Sequence, residues 1–402
     1  IFNNPSLAYV RQFVEDRSYL RAVVSLPEET FISSGTTVKA SLLFLQKYND
    51  MEKDKFDKTY ATAKEEIGAK YSDEITNETQ RLEAAIKKAK EQKDAESHKM
   101  LQKKLKDYLK QMTDKKESES RQRLKERFDY PIFMYEAEKV GISATGDEDQ
   151  DELYPNSNQP EGIEKTCLEH YKSFLKKEEL PPSIDRILGK NNLYSAFYSN
   201  FSDCNRWDPI SFCKMDWKWS EKEMQRLGDV LDKRQEPISK EFNFSALQPV
   251  TIHFDGSMDR RSVSKGRIYS MQMFKAAPGD IVVSKIDLKN GAVGIVPNDW
   301  ENVAVTGHFA VYTAKRLRVY AHWIHRIIQQ PDFKEFLWRN KVGAEGRKEV
   351  KLDFFEAIKI PIPDLEIQRI ILNHKQHIID QIDKLKKKLV IAETQVSKMI
   401  HG

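Results

Sequence analysis

The chain has 402 residues, with 66 Lys and Arg against 62 Asp and Glu, for a formal net charge of +4. That length exceeds one ordinary core and sets an expectation of two or three domains, while so small a net charge makes the placement of the basic residues, not their number, the informative feature. No apolar run is long enough to span a membrane, no signal peptide is visible, and Cys167, Cys204 and Cys213 form no CxxC pair, so a reduced, cytoplasmic protein without a zinc site or disulfide framework is expected. The first residue is Ile1, which suggests a piece of a longer protein.

Residues 7–16 have helical spacing, and LRAVVSLPE (20–28) and KASLLFLQKY (39–48) read as two buried strands around the loop SSGTT (33–37). From 51 to 127 about half the residues are charged, proline is absent, and Gly68 is the single glycine. Apolar residues recur at helical spacing through Ile67, Tyr71, Ile75, Leu82, Ile86 and Ala89, then Leu101, Leu105, Tyr108 and Met112. The seam fades between Lys90 and Lys99, so an antiparallel helical hairpin bending near 91–96 is expected, with a solvated charged stretch as the alternative. Its lysines have acids nearby and read as a solvated helix face, with a protein- or DNA-binding arm as the lesser option.

PIFMYEA (131–137) is a further strand, 143–162 an acidic loop, 163–177 a short helix, and 181–220 an aromatic connector in which Trp207, Trp217 and Trp219 are expected to pack between domains. A new module follows. MQRLGDVLDKRQEPI (224–238) leads into short strands at 267–274, 280–286, 291–297 and 304–313, punctuated by Pro278-Gly279, Asn290-Gly291 and Pro297-Asn298. Residues 320–340 read as helices, and VKLDFFEAIKIPIP (350–363) closes the module. The last segment places Ile371, Ile378, Ile382, Leu385, Leu389, Ala392, Val396 and Met399 on a heptad seam, a spacer or dimerisation helix whose direction Pro361 and Pro363 fix.

The second half resembles the target recognition domain of Type I restriction–modification specificity subunits. The resemblance rests on LGDV (227–230), APGDIVVSKIDLKNGAVGIVP (277–297), TGHFAVYT (306–313) and GAEGRKEVKLDFFEAIKIPIPDLEIQ (343–368). IPIPDLEIQ looks like the IPxPPxxEQ-type junction to the spacer helix, with Asp364 in place of the second proline and Ile367 in place of the usual Glu. The first half resembles the C-terminal part of adenine-specific DNA methyltransferases, through residues 13–47 and 131–153.

The resemblance implies a multidomain chain of mixed α/β and α+β class. It would comprise the end of a methyltransferase sheet (1–50 and 128–180), an inserted helical hairpin (51–127), a connector (181–220), a target recognition domain (221–363) and a spacer helix (364–402). It implies a bacterial, Type I-like or Type IIG-like protein that binds double-stranded DNA. Its partners would be a methyltransferase catalytic domain or modification subunit, with a restriction subunit as a further candidate, and homodimerisation would run through the last helix. The full-length protein would use S-adenosylmethionine to methylate adenine. This chain has neither the Gly-rich turn nor the Asn-Pro-Pro-Tyr/Phe motif; FNNPS (2–6) lacks the second proline and the aromatic, so Asn4 is not expected to be catalytic, and the chain alone is expected to hold no cofactor and be inactive.

DNA reading needs cations for phosphates and polar groups for base edges. Arg260, Arg261, Lys265 and Arg267 lie in the polar loop MDRRSVSKGR, Lys285 and Lys289 flank Asn290-Gly291, and Arg347 and Lys348 lie in GAEGRKE; His308 and Arg316 complete the candidates. His322 and His325, like His374 and His377, have metal-ligand spacing but no carboxylate or Cys partner, and read as helix surface. No nuclease constellation stands out. The rival class is a coiled-coil interaction protein with a peptide-binding module.

Overall fold

A computed structural model describes residues 2–36, 38–178, 180–189, 193–239, 246–262, 271–343 and 348–401. The chain forms two compact units, residues 1–186 with 194–212, and residues 187–193 with 213–402.

The first unit begins with α1 (Ala8–Glu15), β1 (Ser18–Ser25) and β2 (Ser41–Lys47), continues through α2 (Asp50–Glu91) and α3 (Ala95–Arg127), and returns as β3 (Pro131–Glu136), β4 (Val140–Ile142), β5 (Glu148–Asp151), α4 (Cys167–Leu175) and β6 (Ala196–Asn200). Its main sheet has the order β2-β1-β3-β6, with β1 and β3 parallel and the other pairs antiparallel. Alternate side chains of β1 and β3 enter two cores: Leu20, Val23, Ile132 and Met134 meet Phe201 and Trp207 on one face, while Ala22, Val24, Phe133 and Tyr135 lie with Cys167 on the other. A strand buried on both faces needs apolar residues at every position, which is why VV and IFMY are runs and not alternations.

Two readings of the sequence differ from the structure here. β2 was expected to be buried, yet it is an edge strand with Leu42, Phe44 and Leu45 exposed. An apolar run reports transfer free energy, not whether a neighbour exists to receive it. The stretch 181–220 is not a passive connector, because β6 within it pairs with β3. Trp207 is 1% exposed in the core of the first unit and donates Nε1–H to Glu15 Oε1 at 3.2 Å, whereas Trp217 and Trp219 pack on Phe333 and Trp323 of the second unit. Each indole is therefore fixed inside one unit.

Asn49 and Glu52 form a capping box that starts α2, and Asp94 caps α3 by accepting from Ser97 N–H. The chain turns at residues 92–94, where the apolar seam lapses. Along the helices Ile67, Tyr71 and Ile75 pack on Tyr108 and Met112. At the root, Phe56, Leu124 and Phe128 cluster with Tyr48, and Lys125 Nζ sits 2.9 Å from Glu15 Oε1, both side chains buried.

The second unit comprises β7 (Met224–Arg226), α5 (Leu227–Val230), β8 (Leu231–Arg234), β9 (Gln248–Ile252), β10 (Met258–Arg260), β11 (Met273–Lys275), β12 (Ile281–Ser284), β13 (Val293–Ile295), β14 (Val303–Thr306), β15 (Phe309–Ala314), α6 (Ala321–Ile328), α7 (Pro331–Arg339), α8 (Leu352–Ala357), β16 (Lys359–Pro361) and α9 (Leu365–His401). Two four-stranded sheets, β10-β9-β14-β11 and β13-β12-β15-β8, enclose a valine-rich core of Val250, Val282, Val303, Val305 and Val311. The opposite face of β12 and β15, with Ile281, Val283 and Tyr312, packs on Ile324, Ile328, Phe333 and Phe355. The unit is thus sheet on sheet on helices.

The helix α9 leaves this core through a polar clasp. Gln368, fully buried, donates Nε2–H to Pro363 O at 2.7 Å and to Arg318 O at 3.1 Å, and its Oε1 accepts Tyr320 N–H at 3.1 Å. Trp323 Nε1–H donates to Pro361 O at 2.8 Å. Beyond this turn the heptad seam is open, with Ile378, Ile382, Leu385 and Leu389 all exposed.

Candidate nucleic-acid interface

The hairpin of β9 and β10 carries Arg260 and Arg261 on its exposed rim. Arg260 ends β10 and was expected in a loop; its guanidinium lies over the Trp300 ring, 5.1 Å from the centroid. Stacking on an indole holds the planar guanidinium while leaving its N–H edge outward. Arg261 N–H donates to Pro249 O at 2.9 Å, so the backbone stays strand-paired one residue past β10. Lys265 and Arg267 lie outside the described residues, as does Arg347.

The turn of this hairpin is docked on α6 and α7. Lys334 Nζ donates to Phe254 O at 2.6 Å. Gly256, at φ +83°, lies so close that a Cβ there would stand 2.2 Å from His325 Nε2 and 2.5 Å from Gln329 Nε2. Only glycine combines that backbone conformation with that approach. Burial, with Arg326 and His322 beside it, lowers the His325 pKa, so its ring is held neutral. His322, three residues earlier, is exposed. Among the described residues no group of three His, Cys, Asp or Glu converges as metal ligands would.

The lysines beside Asn290-Gly291 are engaged. Lys285 Nζ donates to Gly307 O at 2.7 Å and Lys289 Nζ to Lys348 O at 2.7 Å, so both amines staple loops together. His308 is exposed in the β14–β15 turn, where its carbonyl accepts from Lys285 N–H at 2.9 Å. Arg316 is exposed on a cleft of about 440 Å³ that Pro297, Asn298, Tyr320 and His322 also line. At the floor of that cleft, buried Asp280 accepts from Thr313 Oγ1 and Ala277 N–H, each at 2.8 Å, with Arg234 Nε 2.9 Å away. The structure therefore joins Arg260 with Arg261 at the end of β10, and Lys285 with His308 at the turn between β14 and β15. Trp300 and Gln368 were not anticipated: the first follows a Pro-Asn turn, and the second sits in the junction motif already noted.

Residues 219–393 match the family model of the Type I restriction modification DNA specificity domain. The second unit carries a specificity domain of this kind. The stretches LGDV, APGDIVVSKIDLKNGAVGIVP, TGHFAVYT and the junction to α9 all fall inside the matched span. The specificity domain occupies under half of the chain, and the first unit lies outside it. No curated protein matches the chain. Nine chains of solved structures do. One, described as the crystal structure of the HsdS subunit from Thermoanaerobacter tengcongensis, is 20% identical with a TM-score of 0.29, covering 42% of this chain and 40% of that one. Another, from a structure described as the basis of complex assembly and conformational transition of the type I R-M system, is 18% identical with a TM-score of 0.28, covering 45% of this chain and 44% of that one. The chain thus spans less than half the length of either. No helix among the described residues is long and apolar enough to cross a membrane.

Proposed function

We propose that the chain reads a specific sequence in double-stranded DNA for a Type I-like or Type IIG-like restriction–modification system. The observation that carries this is the specificity-domain match over residues 219–393, within which Arg260 and Arg261 stand exposed on a docked hairpin. Arg260 addresses base edges, since a guanidinium stacked on Trp300 presents its fork in one orientation, and Arg261, next to it on the exposed rim, addresses them with it. Arg316, His308, Lys348 and the undescribed Lys265, Arg267 and Arg347 address phosphates, while Lys285 and Lys289 hold the loops. The resemblance of residues 13–47 and 131–153 supports a larger, cytoplasmic protein in which this reading directs adenine methylation with S-adenosylmethionine, together with modification or restriction subunits. The open seam of α9 supports pairing with a second such helix.

Binding titrations on a selected cognate duplex and a scrambled one, at several salt concentrations, test the assignment. Arg261→Ala weakens cognate binding by about 1–3 kcal/mol and leaves scrambled binding nearly intact. Arg347→Ala weakens both and flattens the salt slope by roughly one unit. Equal affinity of the parent for every duplex would defeat the reading. The chain alone transfers no methyl group from S-adenosylmethionine to DNA, because it carries no Asn-Pro-Pro-Tyr/Phe motif; methylation abolished by Asn4→Ala would reverse that.

A further inference from the structure

The α2–α3 hairpin is not evenly charged. Residues 74–110, the distal part in which the Tyr108 hydroxyl reaches Glu74 O, hold ten Lys and Arg against seven acids, whereas 50–73 and 111–127 hold eleven of each. The pairing is equally uneven. In the proximal part Lys53 pairs with Asp57, Lys58 with Asp54, Lys64 with Glu117, Lys70 with Glu119, and Arg127 with Glu66. In the distal part Lys99, Lys103, Lys106 and Lys110 are exposed, and none of them has an ion pair or side-chain hydrogen bond. These four follow i, i+4, i+7, i+11, so they form one stripe on α3 about 16 Å long. The stripe is opposite the seam of Leu101, Leu105, Tyr108 and Met112 and therefore points away from α2. Lys87, Lys88 and Lys90 add exposed charge on the adjoining end of α2.

Asp107 flanks the stripe beside Lys103 and Lys110, but four lysines against that one acid still repel one another, and a partner that removes the repulsion must bring closely spaced negative charge. Duplex DNA offers roughly one phosphate per 1.7 Å of axis, so a stripe this long faces several of them at once. We propose that the distal half of the α2–α3 hairpin is a second, sequence-independent contact surface for the phosphodiester backbone of double-stranded DNA, separate from the reading surface of the second unit. Lysine suits this role because it binds phosphate as a point charge without demanding a fixed geometry.

The test uses the full chain and a fluorescent 30-bp duplex of random sequence, with affinity measured across a range of NaCl concentrations. Lys99→Gln, Lys103→Gln, Lys106→Gln and Lys110→Gln together lower the slope of log K against log salt by about 3 to 4, since each phosphate contact contributes about 0.9. A matched variant with Lys53, Lys58, Lys64 and Lys70 changed to Gln, all ion-paired in the parent, changes the slope by less than one. Circular dichroism at 222 nm confirms that both variants stay helical. An unchanged slope in the distal variant, or an equal fall in the proximal one, overturns the proposal. So does a distal variant that loses binding to polyglutamate while its duplex slope is unchanged, which would assign the surface to an acidic protein. The slope on random duplex is independent of sequence discrimination, so a failed specificity reading appears separately, as equal parental affinity for all sequences.

Discussion

Gln368→Leu is the sharpest test of how the specificity domain holds its long helix. The substitution nearly preserves volume but removes all three hydrogen bonds of the side chain. It strands Tyr320 N–H, Pro363 C=O and Arg318 C=O, which Gln368 satisfies at 3.1, 2.7 and 3.1 Å. A buried polar group left without a partner costs about 1–3 kcal/mol. Arg318 and Tyr320 are both exposed, so water can reach their backbone groups, and the buried Pro363 carbonyl sets the loss at about 2 kcal/mol. For a unit of this size each kcal/mol moves the melting temperature by about 2–4 °C, so a fall of roughly 4–8 °C is expected. Gln368→Glu is worse, because it aims a carboxylate at two carbonyl oxygens that the amide N–H groups now bridge. Differential scanning calorimetry of the chain and both variants reads the effect directly. A shift below 2 °C for Gln368→Leu, or a Glu variant more stable than the Leu variant, would refute the idea that this clasp anchors α9.

His325 should contribute to acid sensitivity of the second unit, as His170, whose pKa burial also lowers, should in the first. The His325 pKa is lowered by burial, so the unfolded state binds the proton more readily; the stability present above the ordinary His value is lost as pH falls from about 6.5 toward the lowered one. His325→Gln should flatten the denaturation midpoint between pH 7 and 5, and a parent and variant with parallel pH profiles would contradict this. Ile382→Asp with Leu389→Asp should leave the melting temperature of the monomer unchanged, because both positions are exposed at 44% and 59%, and should abolish self-association read by light scattering; unchanged mass at all concentrations for parent and variant alike would count against the seam as a pairing surface.

What the sequence made legible, and what it left hidden, divides along physical lines. The strands of the specificity domain were readable because IVV and FAVY are buried on both faces, and because Pro278-Gly279 and Asn290-Gly291 mark the turns between them. The turn at residues 92–94 was readable because the apolar period stops there. The exposure of β2 was not, since Leu42 and Phe44 have the composition of a core strand and only the sheet order reveals an open edge. β6 was hidden in an aromatic stretch whose partner strand lies some sixty residues upstream. Among the candidate DNA contacts, a charge in a loop looks the same whether its amine faces solvent or a carbonyl. Lys285 and Lys289 proved to face Gly307 O and Lys348 O, partners that no local pattern encodes. The charge asymmetry of the hairpin was present in the sequence but averages out over its whole length.

The buried pair at the root of that hairpin has a mechanical meaning. α2 runs for 42 residues, or about 63 Å. Over such a length, a tilt of about 5° at the base sweeps the far end through roughly 5 Å, by the helical rise alone. The angular stiffness of the whole arm is therefore set by a few groups near one end: Lys125 on Glu15, Glu15 on Trp207, and Arg121 on Asp16 at 3.0 Å. Breaking a buried pair of this kind costs about 3–5 kcal/mol, so the hinge is stiff while the shaft beyond it is water-washed. The protein places its rigidity where leverage is greatest and leaves the working end to be defined by charge.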